Sequence, residues 1–224
     1  MIKPFKFSKI QFLLIGEIHG IHENINVLKI FVNAYFSTNK RFAIGFEWPS
    51  ALSDEINQYI LGEVDKLSWK KWKFVNDKDG RISKEHIAFL SWLRKKNLAF
   101  SSKKRILVIC FDENSKQWNE RDKRMSQNLE KAKMPVIAIM GNLHAQRTKF
   151  NFEKEKYTPI GFHLSGRNMI AIKINYLSGK FYNYGIKKIQ RTKGIKLGLI
   201  KNDGNDFDYF YVVKEAHPIG LLAV

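Results

Sequence analysis

Short apolar runs recur along the chain at residues 12–15, 42–46, 106–111 and 136–141, each bounded by glycine or a polar residue. Runs of that length between turn-forming residues read as buried strands. The first is closed by Gly16, and the others stop at Glu47, Asp112 and Asn142. Between them the spacing changes to that of helices. Ile21, Ile25, Leu28, Val32 and Tyr35 recur three and four apart and give one apolar face to a helix over 24–36. Ser53 or Asp54 caps a second helix running to Leu61, and Ser83 opens another that carries Ile87, Leu90 and Leu93 and ends before Asn97. Trp69, Trp72 and Phe74 predict a short helical segment folded over its neighbours, followed by the turn Asp77-Lys78-Asp79-Gly80. The longest helix is predicted over 114–132, with Trp118, Met125 and Leu129 on one face and Pro135 as its stop.

Strands alternating with helices in this way pair in parallel through right-handed crossovers. Beyond residue 148 the texture changes. Residues 169–174 and 180–184 alternate about Leu177-Ser178-Gly179, which predicts a hairpin, and a further strand is expected over 206–213 after the turn Lys201-Asn202-Asp203-Gly204. The expected fold is therefore α/β and three-layered, a mostly parallel central sheet flanked by helices. The C-terminal third is expected to add antiparallel strands to one edge. One domain is expected over 1–224, with a parallel core at about 10–148 and an extension at about 149–224.

Composition narrows the class without naming a function. With 44% hydrophobic and 13% aromatic residues the chain can bury a core. Its formal charge of +18 raises nucleic acid as a partner. However, the basic residues are dispersed in short clusters such as Lys70-Lys71 and Arg94-Lys95-Lys96, which is the pattern of a solvated surface, so nucleic acid is not the expected partner. A small-molecule or peptide substrate is. The lone Cys110 rules out an internal disulfide, and Met1-Ile2-Lys3-Pro4-Phe5-Lys6 leads into a run too short for a signal or a membrane span. The expected compartment is the cytoplasm, with a secreted effector that lacks a cleaved signal as the alternative that reads the same way.

The strand ends carry the chemistry. In open α/β sheets ligands bind at the carboxyl ends of the strands, where helix amino-termini converge. Glu17 and His19 fall at the first such end, Glu47 at the second, Asp112 at the third, and Asn142 with His144 at the fourth. An imidazole titrates near neutrality, so His19 can take a proton from water and return it to a leaving group. Glu17, two residues away, can hold the other ring nitrogen. Glu47 follows an apolar run and needs a partner, either as a site carboxylate or in a salt bridge to Arg121 or Arg124. Gly141 permits close backbone approach beside His144, a second proton carrier or oxyanion donor.

Glu17, His19, Glu47 and His144 also make a nitrogen and oxygen donor set that Mn or Zn accepts, although no local spacing such as His-Glu-x-x-His marks a metal. Asp112 and Glu113 read either as site acids or as a helix cap. Glu23, four residues after His19, can face it, while His22 is expected to point to solvent. His86 and His163 are weaker candidates, and His217 falls in a loop. Cys110 sits inside an apolar strand, where a thiol is inert. There is no Gly-x-Ser-x-Gly elbow, phosphate loop or dinucleotide fingerprint, which turns a hydrolytic reading towards activated water.

Several segments together resemble a known group. These are Gly16-Glu17-Ile18-His19-Gly20 with Glu23-Asn24, Glu47, Phe89-Leu90-Ser91-Trp92-Leu93-Arg94, the stretch from Arg121-Asp122 through Asn128-Leu129, and Gly141-Asn142-Leu143-His144-Ala145. In order and placement, over about residues 13–147, they resemble the erythromycin esterase-like superfamily, which also holds ChaN-type haem-binding proteins and Tiki peptidases. The resemblance implies an α/β fold with its site at the strand ends. It places His19 where the esterases carry the base that activates water, with Glu17, Glu47, Arg121 and His144 at neighbouring site positions. The Tiki branch implies a divalent metal and the ChaN branch implies haem. The expectation is a hydrolase acting on an ester or amide, and the alternative is a non-enzymatic binder of haem or another anionic ligand.

Overall fold

The computed structural model describes residues 7–38, 40–101, 104–113, 115 and 117–222. The core strands are β1 (Phe12–Glu17), β2 (Ala43–Pro49), β3 (Leu107–Asp112) and β4 (Val136–Gly141). They alternate with the helices α1 (Glu23–Phe36), α2 (Ser53–Leu61), α3 (Lys84–Leu98) and α4 (Trp118–Glu130). Then follow β5 (Phe150–Phe152), β6 (Glu155–Tyr157), the one-turn α5 (Ile160–His163), β7 (Met169–Tyr176), β8 (Gly179–Tyr182), β9 (Ile186–Ile189), β10 (Gly198–Lys201) and β11 (Tyr209–Val213). Seven strands form one sheet in the order β10-β11-β7-β1-β4-β2-β3.

β1 to β4 and β7 are parallel, as expected of strands covered on both faces and therefore apolar at nearly every position. Every residue of β1 is buried. Alternate side chains serve opposite layers. Leu13 and Ile15, with Ile44 and Phe46, pack under α1 and α3 through Ile25, Leu28, Val32, Phe89 and Leu93. Phe12 and Leu14, with Ala138 and Met140, pack under α4 through Met125 and Leu129. The register sets Glu17 beside Gly141, so the strands that carry the first and last candidate residues end level with each other.

The structure corrects several boundaries. The C-terminal hairpin about residues 177–179 does not form. β7 instead enters the main sheet beside β1, in parallel, because Met169, Ala171, Ile172, Ile174 and Tyr176 are all buried and need cover on both sides. β8 pairs with β9 in a separate two-stranded sheet, β11 joins β7 in parallel, and within the main sheet only β10 is antiparallel to its neighbour. β2 continues past Glu47 to Pro49, with its pairing to β3 shifting register between Phe46 and Pro49. Ser53 caps nothing at its own helix. Its hydroxyl accepts the Cys110 N–H at 2.9 Å and so pins α2 to β3. Ser83 does cap α3, accepting the His86 N–H. α4 starts at Trp118; Asn114, where the spacing began it, and residues 1–6 lie outside the described residues. No helix among the described residues is long and apolar enough to cross a membrane.

Candidate active site

Glu17 is the last residue of β1, and the chain then turns sharply through Ile18-His19-Gly20. The turn is held by the buried Asn24 side chain, which donates to the Ile18 carbonyl at 2.9 Å. This folds His19 back so that its Nδ1 lies 2.8 Å from Glu17 Oε1. Its Nε2 faces Glu47 Oε2 at 3.6 Å. Gly141, at the end of β4, makes room for the ring, since a Cβ there would lie 3.1 Å from His19 Nε2. The same glycine donates its N–H to Glu47 Oε2 at 2.8 Å.

Arg121, from the first turns of α4, spans two strand ends. Its Nη2 donates to Glu47 Oε1 at 3.0 Å and its Nε to Asp112 Oδ1 at 2.8 Å. Asp112 Oδ2 in turn accepts from Arg81 Nη1 at 2.8 Å, and Arg81 Nε reaches Asp79. Carboxylates and guanidiniums thus alternate along one wall as Asp79, Arg81, Asp112, Arg121 and Glu47. Such pairing lets so many charges be withdrawn from water together.

His144 completes the opposite side. Its Nδ1 lies 2.8 Å from Asp122 Oδ1 and 2.9 Å from the Tyr157 hydroxyl, while Asp122 Oδ2 also accepts the Ile160 N–H at 3.1 Å. Its Nε2 is 3.5 Å from Glu47 Oε1 and 3.5 Å from Arg121 Nη1. The Trp118 indole lies nearly parallel to the His144 ring at a centroid distance of 6.3 Å.

Electrostatics fix the resting charges. Burial alone would lower the pKa of His19, but the hydrogen bond it donates to Glu17 and the charge of Glu47 outweigh it and push the imidazole up to about 9. Burial would likewise raise Glu47, yet His144, His19 and Arg121 hold its carboxyl well below the usual range. Burial dominates at Glu17, whose pKa is raised despite His19. His144 is raised because Glu47 and Asp122 overcome its burial. At neutral pH the cleft therefore rests with His19 charged.

These groups line a cleft of about 610 Å³. All five residues singled out from the sequence, Glu17, His19, Glu47, Arg121 and His144, stand on its walls. Other candidates do not. Glu23 turns away to His217, with Oε1 2.7 Å from His217 Nδ1. His22 is only partly exposed and meets Glu85 at 3.1 Å. Glu113 bonds Ser50 and Asn128, and Arg124 pairs with Glu120 rather than Glu47. His86 is buried behind Trp48, with a pKa lowered to about 3 by that burial. His163 is exposed on α5. Cys110 is buried, which pushes its thiol up.

The residues that complete the charged wall and hold His144, namely Asp79, Arg81, Asp122 and Tyr157, escaped the sequence reading, as did Asn183 and Tyr184 on the cleft lining. Asp79 stood in a predicted turn and Arg81 just after it, where no periodicity marks a site. Asp122 carried a readable signal, a carboxylate one residue from Arg121 and three before the core residue Met125, on the helix face that turns inward.

The donor set considered for Mn or Zn does not fit a metal in this arrangement. Among the described residues no group of three or more His, Cys, Asp or Glu side chains is disposed to hold one. Both oxygens of Glu47, the carboxylate between the two imidazoles, are taken by Arg121 and the Gly141 amide. The cationic place beside Glu47 is filled by the Arg121 guanidinium.

No family model and no curated protein matches the sequence. Solved structures do match. A Bacillus cereus protein superposes with a TM-score of 0.75 at 13% identity, covering 99% of this chain and 93% of its own. A protein described as a succinoglycan biosynthesis protein gives 0.71 at 14%, covering 99% and 94%. A histidine-to-asparagine mutant of the erythromycin esterase EreC, in its open conformation, gives 0.70 at 11%, covering 97% and 94%. The chain is thus an α/β protein with the erythromycin esterase-like fold. At these identities the likeness is one of fold, and the chemistry rests on the cleft itself.

Proposed function

We propose that the chain is a hydrolase in which His19 activates water for attack on an ester or amide carbonyl. The observation that carries this reading is the 2.8 Å contact between Glu17 Oε1 and His19 Nδ1, which leaves Nε2 facing Glu47 in the cleft that Arg121 and His144 also line. In its neutral form His19 accepts a proton at Nε2 as the water oxygen bonds to the carbonyl carbon. Glu17 accepts the Nδ1–H and steadies the imidazolium that results. The electron pair of the carbonyl moves to its oxygen, where the fixed charge of Arg121 and the His144 ring stabilise it without reorganising. Collapse of the adduct expels the alcohol or amine, which takes the proton back from His19. Glu47, held by Arg121 and the Gly141 amide, keeps the two histidines apart and aligned.

The test is His19→Asn and His19→Ala assayed against a panel of esters and peptides, with circular dichroism to show that both variants fold. Loss of turnover by a factor of about 10²–10⁴ is expected for a general base. Undiminished turnover would remove His19 from the chemistry. Titration of the wild-type protein with haem decides the alternative. A Soret shift with no turnover on any panel member would replace the hydrolase with a ligand-binding protein.

A further inference from the structure

Residues 156–202 contain no Asp or Glu and carry ten Lys or Arg. Ten of the eighteen net positive charges of the chain therefore come from this stretch, about a fifth of its length. Its middle part folds into the β8–β9 hairpin and the loop at 190–197, every residue of which is exposed. In the hairpin Phe181 and Ile189 turn inward and pack against the core. Lys180 stands directly opposite Lys188, and Tyr182 opposite Ile186, on the outward face. Like charges opposed across a strand pair destabilise it. Among the described residues none of Lys180, Lys187, Lys188, Arg191, Lys193 and Lys196 forms an ion pair. Among the described residues no acid pairs with either side of the Lys180–Lys188 contact.

Apolar side chains are exposed among these charges. Tyr184 is 72% accessible, Ile186 58%, Leu197 50% and Ile195 42%. A single exposed aliphatic residue is ordinary, but this group lies along one acid-free basic stretch. Basic residues with interspersed apolar tips are what an anionic membrane interface selects: the apolar groups enter the headgroup region and the cations meet acidic headgroups. A nucleic acid would use the charges and leave Ile186, Ile195 and Leu197 without a partner. We infer that the β8–β9 hairpin and the loop after it are a docking surface for an anionic lipid bilayer. The hairpin is also fastened to the cleft. Tyr182 N–H donates to Gly20 O at 3.0 Å, Asn183 Nδ2 to Asp79 O at 3.1 Å and Tyr184 N–H to Lys78 O at 3.1 Å. A docked bilayer therefore lies beside the cleft mouth, whatever reaction the cleft performs.

Co-sedimentation of the full chain with vesicles tests this, comparing phosphatidylcholine alone with phosphatidylcholine mixed with phosphatidylserine. Binding is expected only to the mixed vesicles. Replacing Lys180, Lys187 and Lys188 together by Gln should weaken partitioning on the order of 100-fold, at about one fivefold step per basic residue. The control replaces Lys66, Lys71 and Lys95 by Gln. It removes the same charge from elsewhere and should change binding only a few-fold. Ile186→Ser with Leu197→Ser should make the remaining binding wholly sensitive to salt. The melting temperature of the hairpin triple variant should hold or rise, because the Lys180–Lys188 repulsion is gone, and this separates lost docking from lost folding. Equal loss in the two triple variants, absence of pelleting with mixed vesicles, or displacement from vesicles by an RNA or DNA oligonucleotide would each overturn the assignment.

Discussion

Glu47 and Arg121, 74 residues apart in the chain, meet at 3.0 Å between Oε1 and Nη2. The guanidinium is held at a second edge by Asp112, so its plane is fixed before anything binds. Glu47 comes from β2 and Asp112 from β3, two adjacent parallel strands, and Arg121 from the helix that crosses from β3 to β4. The contact is thus a direct product of βαβ connectivity. It leaves Nη1 turned to His144 at 3.5 Å, and it sets a permanent positive charge on the wall of the cleft that His19 also lines.

The protonation of His19 sets a pH profile. A base must be neutral to work, and His19 titrates at about 9 because Glu17 and Glu47 favour its charged form over the cost of burial. Below that value kcat/KM should climb about tenfold per pH unit and level off above it. The same shift has a stability sign. A pKa raised above the unfolded value of 6.5 contributes stability that is whole below that pH and is lost as pH rises through about 9. The rate should therefore be measured well below the melting temperature recorded at each pH. A rate that stays level or falls between neutrality and pH 9 would show that the imidazolium is the working form.

Removing Arg121 should cost more stability than removing an exposed arginine. Arg121→Ala strands two buried carboxylates, Glu47 and Asp112, and breaking buried pairs of this kind costs about 3–5 kcal/mol. Arg121→Lys keeps the charge but cannot span both acids with a planar fork, so it should recover only part of the loss. Urea unfolding of both variants beside Arg124→Ala, whose partner Glu120 is on the surface, checks the ranking. Similar midpoints for Arg121→Ala and Arg124→Ala would mean that the charged wall is not structural.

The sequence revealed the parts of this site that local pattern controls. Glu17, His19, Glu47 and His144 could be found because apolar runs end at them, and the run itself encodes the strand. Arg121 was one of two partners open to Glu47, and the resemblance selected it over Arg124. Asp79 and Arg81 were invisible, since they sit in the irregular connection between a 3₁₀ turn ending at Asp77 and α3, and are placed by long-range bonds: Trp48 Nε1 to Arg81 O at 2.8 Å and Asn183 Nδ2 to Asp79 O at 3.1 Å. The hairpin error at β7 has a similar cause. Alternation along 169–174 reads as a half-exposed strand, but helix and loop cover were supplied from elsewhere in the chain, and β7 became an interior strand.

Gly20 is a position where only glycine fits. Its φ is +84°, and a Cβ there would fall 1.7 Å from the Tyr182 carbonyl oxygen. Gly20→Ala must therefore push the β8–β9 hairpin off the turn that carries His19. It should cost more than about 1 kcal/mol, the ordinary penalty for alanine at positive φ, and lower the melting temperature by several degrees. Limited proteolysis should show earlier cleavage near 183–185. An unchanged melting curve would mean that the hairpin can leave the turn freely.

Glu47 should govern the acid limb of stability. Burial would raise its pKa, but His144, His19 and Arg121 reverse that and hold it far below the unfolded value of 4.5. A depressed carboxylate contributes stability that is present above the unfolded pKa and is lost as pH falls below it towards the folded one. Wild-type stability should accordingly drop between about pH 5 and pH 3. Glu47→Gln keeps the size and one acceptor but not the charge, so it should be less stable at pH 7 and change less over the same acid range. The two urea midpoints should converge as pH falls. Curves that stay parallel down to pH 3 would assign the acid sensitivity to other carboxylates and leave Glu47 as a neutral spacer between the histidines.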